Sequence, residues 1–432
     1  MAPEKSAVLS FETLAIHADA RFTHLESHRD IAPPISLSTT FRHGKAHNNW
    51  PPRPSLDAGG DPHAPSTHVY SRYTSPIRDR LEAVIAALEA AVPPNNSGTV
   101  PPQAYAVVYG SGLTAVHAMF VHYQPKRIIK SRAGYFGSEA AAQTYQRGRP
   151  VSIIYLDQLL KPDGSYSYDS QPGDLVLLES PINATNDLED LEFWVSRRVP
   201  GAFVAVDSTF APPPLQFPLR HGVDIVMHST TKYMGGHSDL LGGVLVVKDP
   251  KAALGLRSDR SLNGWHPGSL ETTLLLRSLR TLPLRVAQQS RTATRLARWL
   301  AGAADVRPQD KKALAAVDRV FHTSVKGTRG HEIAGKYMTG GHAACFAVTF
   351  KSLHHARLIV QRLKLFANAT SLGGVESLAE WRYAVDQTQP KELIRVSVGL
   401  ESFEDLREDM RQGLEVVEDE VVKLEASGKS KL

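Results

Sequence analysis

From Pro76 onward the chain alternates two kinds of apolar pattern. The stretch IRDRLEAVIAALEAAV spaces its apolar residues three and four apart, which predicts a helix, and PPNNSGTVPP stops it. Strand-length runs follow: AYAVVY from Ala104, RIIKS from Arg127, VSIIYL from Val151, DLVLLES from Asp174, AFVAVD from Ala202, DIVMHS from Asp224 and GGVLVVK from Gly242. Several are almost wholly apolar, as strands covered on both faces must be. Helical stretches such as LTAVHAMFVHY and LEDLEFWVSRRV separate them. Strands alternating with helices predict an α/β layered domain around a mostly parallel sheet.

The pattern changes on either side of this block. Residues 1–75 carry little periodicity, and His43 to Thr67 is rich in Pro, Gly, His and Asn, reading as a long irregular loop or arm. After about Arg260 a long helical run, LETTLLLRSLRTLPLRVAQQSRTATRLARWL, leads into fewer strands and a charged terminal helix, a second domain of α+β type. The expected organisation is an arm over 1–75, an α/β domain over 76–260 and an α+β domain with a polar tail over 261–432.

Composition narrows the function classes. The chain of 432 residues is 42% hydrophobic and 22% charged, enough apolar material for a large core. Its single cysteine, Cys345, excludes a disulfide framework and a thiolate metal cluster, and the setting AACFAVTF suits a buried thiol. Lys and Arg exceed Asp and Glu by 49 − 44 = 5, with no basic block interleaved with aromatics of the kind that grips nucleic acid. No apolar run is long enough to span a bilayer. Ser430-Lys431-Leu432 matches the address read by the peroxisomal import receptor, so the expected location is the peroxisome, with the cytoplasm as alternative.

In open α/β sheets, ligands sit beyond the carboxyl ends of the strands. AYAVVY runs into Gly110-Ser111-Gly112 and then a helix beginning near Leu113, a turn whose glycines and free N–H groups suit a phosphate. The letters GSGLTA also satisfy a dinucleotide fingerprint, which makes an NAD(P)-linked oxidoreductase the rival reading. A dinucleotide fold wants an acidic residue about 20 positions on. The next strand ends instead in Ser131 and Arg132. AFVAVD ends in Asp207, and DIVMHS leads into Ser229-Thr230-Thr231-Lys232. Buried singly, such charges would be costly, and a structural ion pair is the plain alternative. Together they fit an aldehyde cofactor: Lys232 to form an imine, Ser229 and Thr231 to donate to a phosphate, Asp207 to hold a ring nitrogen protonated.

On these motifs the chain resembles the Cys/Met metabolism (transsulfuration) family of pyridoxal-phosphate (PLP) enzymes, cystathionine γ-synthase- and lyase-like and most similar to fungal members. STTKYMGGHSDLLGGVLVV resembles the family's lysine signature, and VAVDSTFAPP its pyridine-binding strand. YGSGLTA is similar to the phosphate loop, implicating Ser111, Gly112 and the backbone of Leu113, and GYFGS to the segment whose tyrosine, here Tyr135, stacks on the ring. ESPINA resembles the loop that sets Asn183 beside cofactor and substrate. HVYSRYTSP resembles the element whose Tyr70 and Arg72 reach a neighbouring subunit's phosphate. SLGGVES and LIRVSVGLES resemble the substrate segments, with Ser371 near the α-carboxylate and Arg395 clamping it.

The resemblance implies a fold of the aspartate-aminotransferase-like type I class, pyridoxal 5'-phosphate as cofactor and a small amino-acid substrate. It also implies homotetramers built as dimers of dimers, with the arm completing the neighbouring site. Lys232 and Tyr135 would carry the catalysis. The implied chemistry is γ-replacement or γ/β-elimination on a sulfur- or homoserine-derived amino acid, cystathionine γ-synthase-like first. Four departures bear on substrate rather than cofactor: Ser75-Pro76 in place of Asn-Pro, Ala184 in place of proline, Thr370 before SLGG, and a shortened stretch between Trp381 and Arg395. His43, His47, His63 and His68 are expected to be solvated loop histidines, His354-His355 to lie on a helical surface, and the terminal helix to be exposed.

Overall fold

The computed structural model describes residues 9–20, 31–42, 68–92, 101–306 and 310–426. His43, His47, His63 and the terminal Ser430-Lys431-Leu432 lie outside the described residues. The chain forms two compact units, one of residues 1–178, 190–235 and 239–283, the other of 179–189, 236–238 and 284–432.

The first unit is built on a seven-stranded sheet: β1 (Tyr105–Tyr109), β2 (Arg127–Lys130), β3 (Ser152–Tyr155), β4 (Asp174–Glu179), β5 (Phe203–Asp207), β6 (Ile225–His228) and β7 (Gly243–Val247), in the order β1-β7-β6-β5-β4-β2-β3. β2 runs parallel to β3 and β4, and β5 to β6, while β7 is antiparallel to both β1 and β6. The sheet is thus mostly parallel, as the apolar runs predict. All of β1, β6 and β7 is buried, which is why those runs lack polar alternation. On one face Val107, Ile128, Leu175 and Leu245 pack with Met119 and Phe120 of the helix Gly112–Tyr123 and with Ala253 and Leu256 of the helix Pro250–Asn263.

The helix Pro76–Glu89 starts with proline in its first turn, where the missing N–H costs nothing. Its Glu82 is fully enclosed: one oxygen accepts the Val108 N–H at 3.1 Å and meets Arg260, and the other meets Arg257 at 2.7 Å. Burial alone would raise this carboxyl, but the guanidiniums of Arg260 and Arg257 hold it down at about 2. One carboxylate therefore ties the helix, β1 and the helix Pro250–Asn263 together.

The unit boundary falls after Pro283, later than the change of texture near residue 260 suggests. The reason lies in where the intervening helices bury their faces. Pro250–Asn263 contributes Ala252, Ala253 and Leu256 to the first unit's core, and Ser269–Leu279 packs on Pro76–Glu89. The long helical run is two helices, Ser269–Leu279 and Leu282–Leu300, separated at Arg280 and Thr281.

The second unit holds β8 (Val317–Phe321), β9 (Cys345–Phe350), β10 (Ala367–Asn368), β11 (Leu378–Trp381) and β12 (Leu393–Ser397) in the order β10-β11-β12-β9-β8. Only β10–β11 pairs in parallel. Cys345 is buried and forms no disulfide. The terminal helix Phe403–Ala426 is not simply exposed. Leu406, Met410, Leu414, Val417 and Val421 are buried at helical spacing, and the helix packs on Leu353–Arg362. His355 is likewise buried rather than on a surface, bonded to Ser352 at 2.8 Å and to Glu418 at 3.1 Å, because Leu353–Arg362 turns that face to the terminal helix. No helix among the described residues is long and apolar enough to cross a membrane.

Candidate active site

Two clusters, one in each unit, gather the residues named from the sequence other than Tyr70 and Arg72. In the first unit, β5 delivers Asp207 at its carboxyl end, and β6 beside it pairs Met227 with Asp207 before running into the turn of Ser229 to Gly235. The turn is closed by backbone bonds from Lys232 N–H to Ser229 and from Gly235 N–H to Thr230. A short relay joins the two strand ends: Thr209 N–H donates to Asp207 Oδ1 at 3.0 Å, and Ser229 N–H donates to Thr209 Oγ1 at 2.9 Å.

The Gly110-Ser111-Gly112 loop packs directly on this turn. Ser111 is the N-cap of Gly112–Tyr123, its hydroxyl accepting from Thr114 N–H at 3.0 Å and bonding Thr114 Oγ1 at 2.8 Å. A methyl group on Gly112 would sit 2.9 Å from Cβ of Ser229 and 3.0 Å from its Oγ, so only glycine lets the loop and the lysine turn approach this closely. Thr231 spends its hydroxyl on the start of β7, accepting from Gly242 N–H at 3.0 Å and donating to the Gly242 carbonyl at 3.3 Å. Tyr135 caps the helix Phe136–Gln146; its half-exposed ring lies over Gly137, where the Leu113 side chain also reaches.

Asp207 is enclosed, and burial pushes its carboxyl above the ordinary carboxylate range against the opposing pull of Thr209 and His228. His228, at the end of β6, is paired with Glu89 at 2.6 Å, both fully buried. The raised carboxyl suits a partner that brings a positive charge, as a protonated pyridine nitrogen does. The Gly112 cradle, the enclosed Asp207 and the amine of Lys232 on one turn fit pyridoxal phosphate.

Tyr70 and Arg72 form their own group. Tyr70 bridges Thr40, and the Arg72 guanidinium lies 5.7 Å from the Tyr70 ring and 4.6 Å from that of Tyr73, donating to the Ser261 carbonyl at 3.0 Å. Nearby His68 is half-buried against Phe41 and bonded to Thr74, not solvated as a loop histidine; burial, with Arg78, lowers its pKa to about 4. Among the described residues no group of three His, Cys, Asp or Glu could hold a metal.

In the second unit Asn183, Ser371 and Arg395 do meet. Arg395 donates to Asn183 Oδ1 at 3.3 Å and to the Ser371 carbonyl at 3.0 Å. Asn183 N–H donates in turn to Glu179 at 2.7 Å, and the Asn183–Ala184 peptide is cis. Sequence reasoning missed two members of this group. Glu380, the register partner of Arg395 across β11 and β12, takes the Arg395 guanidinium at 2.9 Å and that of Arg382 at 2.6 Å. No local signal marks the pair, because the contact of Glu380 with Arg395 is set by the register of β11 against β12. Thr370 is exposed, and the shortened stretch after Trp381 is braced by Asp386, which accepts from Thr388 and Gln389.

Residues 12–415 match the family model described as Cys/Met metabolism PLP-dependent enzyme. The chain is 30% identical over 405 residues to cystathionine γ-synthase of Escherichia coli (strain K12), covering 90% of this chain and 94% of that protein. It is also 30% identical over 425 residues to cystathionine γ-lyase of Saccharomyces cerevisiae, covering 94% and 97%. A crystal structure of cystathionine γ-synthase from Xanthomonas oryzae pv. oryzae, in complex with aminoacrylate and cysteine, superimposes with a TM-score of 0.79 at 27% identity, covering 95% of this chain and 99% of that one. The nicotinamide reading of GSGLTA thereby falls away, since strand ends, lysine turn and overall likeness agree on one cofactor. The chain belongs to the Cys/Met metabolism family of PLP-dependent enzymes, the transsulfuration enzymes that make or break carbon–sulfur bonds.

Proposed function

We propose that the protein catalyses γ-replacement on a homoserine-derived amino acid, in the manner of a cystathionine γ-synthase. The observation that carries this reading is the convergence of Asp207, the Gly112 loop and the Lys232 turn at adjoining strand ends. Bound there, pyridoxal phosphate supplies an electron sink that lets Cα and Cβ of an amino acid give up protons. The chain's residues do the rest. Lys232 would hold the cofactor, and its amine would serve as the general base for the substrate's Cα proton, work worth about 10²–10⁴ in rate. Asp207 would keep the ring nitrogen protonated, Ser111, Gly112, Leu113 and Ser229 would receive the phosphate, and Tyr135 would cover the ring face. Arg395, steadied by Asn183 and Ser371, clamps the α-carboxylate with charge-assisted bonds worth about 1.5–3 kcal/mol.

Elimination at Cγ or Cβ is the second reading, favoured by the equal identity to a γ-lyase. Supplying the holoenzyme separately with O-acylhomoserine plus cysteine, with cystathionine and with cysteine separates them. Cystathionine formed in the first mixture supports replacement; keto acid from the second or third alone overturns it.

The same proposal extends to assembly and address. Tyr70 and Arg72, turned toward Tyr73 and Ser261 within their own chain, are proposed to serve a neighbouring subunit's phosphate in a tetramer, the arm over 1–75 crossing with them. Sedimentation should give the tetramer mass, and a mixture of Arg72→Ala and Lys232→Ala proteins should regain activity through hybrid sites. Ser430-Lys431-Leu432, where it closes the chain, is proposed as the peroxisomal address. Its deletion should leave a tagged protein in the cytosol.

A further inference from the structure

The group around Arg395 contains a charge that the clamp itself does not need. Arg395, Glu380 and Arg382 are all at least nine-tenths buried. Glu380 and Arg395 are directly opposite each other on neighbouring strands, so their side chains share a face of the sheet. Arg382 lies two positions on, where β11 has ended and the short helix Arg382–Val385 begins, and its guanidinium turns back to donate to Glu380 at 2.6 Å. A single oxygen of Glu380 accepts a hydrogen bond from Arg382 and pairs with the Arg395 guanidinium. The other oxygen, Oε1, and the Nε of Arg382 are buried without a hydrogen-bond partner.

The charges can be summed. Arg395 with Glu380 alone would be neutral, and a carboxylate approaching Arg395 would face the negative charge of Glu380 at close range in a medium of low dielectric. Arg382 cancels that charge, leaving the trio with one positive charge in surroundings where an unbalanced charge is expensive. One incoming carboxylate brings the sum to zero. The position of Arg382 is itself fixed: Trp381 donates its Nε1–H to the Lys391 carbonyl at 2.8 Å, and the Asp386 turn closes the short segment that follows.

We propose that Arg382 is a positioning residue for substrate recognition. It neutralises Glu380 so that Arg395 keeps its charge for the substrate's carboxylate, and it thereby sets the preference of the site for a free amino acid over its amide. This rests on the reading of Arg395 as the carboxylate clamp.

The test compares wild-type holoenzyme with Arg382→Gln, Arg382→Lys, Glu380→Gln/Arg382→Gln and Arg395→Ala. Each is titrated with methionine and with methionine amide, and KM and kcat are measured with the best substrate found. Arg382→Gln should lose about ten- to a hundredfold of the carboxylate preference, the worth of a charge-assisted hydrogen bond, with the loss in KM and little change in kcat. Arg382→Lys should keep most of the preference, and the double variant, which removes both charges, should regain most of it. Thermal melts check that the variants fold. A loss in Arg382→Lys as large as in Arg382→Gln, or no recovery in the double variant, would overturn the proposal. So would an unchanged preference in Arg382→Gln while Arg395→Ala loses it, and that outcome leaves the proposed function standing. If Arg395→Ala also keeps the preference, the clamp reading itself fails.

Discussion

The cluster around Lys232 and the cluster around Arg395 are built in opposite ways. The first is made of short continuous runs, a glycine turn, a strand end and a lysine turn, whose bonds nearly all take in a backbone N–H or carbonyl. The second is assembled from residues as far apart as Asn183 and Arg395, held by side-chain charges across two strands. Backbone architecture around the lysine tolerates change at few positions, because a Cβ at Gly112 already meets Ser229. Side-chain architecture around the arginine can be retuned one charge at a time. The proposed roles, cofactor chemistry in the first cluster and substrate choice in the second, follow that difference.

Substitutions should divide along the same line. Replacing Lys232 with alanine should cost at least about 10²–10⁴ in turnover with every amino acid, checked by product assays at saturating substrate. Arg395→Ala should leave cofactor binding intact and weaken amino-acid binding by about ten- to a hundredfold, read by titration of the holoenzyme. Equal damage to cofactor affinity would erase the distinction between the clusters. Gly112→Val should do the reverse. Overpacking against Ser229 costs about 1–3 kcal/mol, to be seen as weaker pyridoxal phosphate binding with substrate preference unchanged.

What could be read from the sequence follows from this contrast. The lysine turn, Asp207 and the Gly112 loop were legible because the chemistry sits in contiguous letters at the ends of apolar strands. Arg395 and Ser371 were legible only through motif resemblance. Glu380 and Arg382 were not, since a cross-strand ion pair depends on register, which no local pattern specifies. The same limit explains the terminal helix and His355: their charged letters suggested surface, while the apolar stripe and Glu418 bury one face. The boundary at Pro283 was hidden because an amphipathic helix does not announce which sheet will cover it.

A smaller effect concerns pH. His322 at the end of β8 is fully buried, its Nε2–H donating to the Ala343 carbonyl at 2.8 Å and its Nδ1 bonded to Ser324 at 2.7 Å. Burial, with His342 beside it, lowers its pKa to about 3. A histidine buried neutral contributes stability that is fully present above its unfolded pKa of 6.5 and is lost as pH falls toward the folded value. His322 should therefore contribute a loss of about 2 kcal/mol between pH 7.5 and pH 5, beside that of His342, which burial lowers to about 4, seen as faster hydrogen exchange in β8 and β9. His322→Asn should reduce that dependence; an unchanged slope would remove His322 as a source.

The proposed covalent attachment of cofactor to Lys232 underlies the roles given to the residues of the first cluster. Borohydride reduction of the purified, pyridoxal-phosphate-loaded protein, followed by proteolysis and mass spectrometry, tests it directly. The expected result is a phosphopyridoxyl group on the peptide carrying Lys232, with loss of the visible absorption band. A label on a different lysine, or a reducible band that persists in Lys232→Ala, would contradict it.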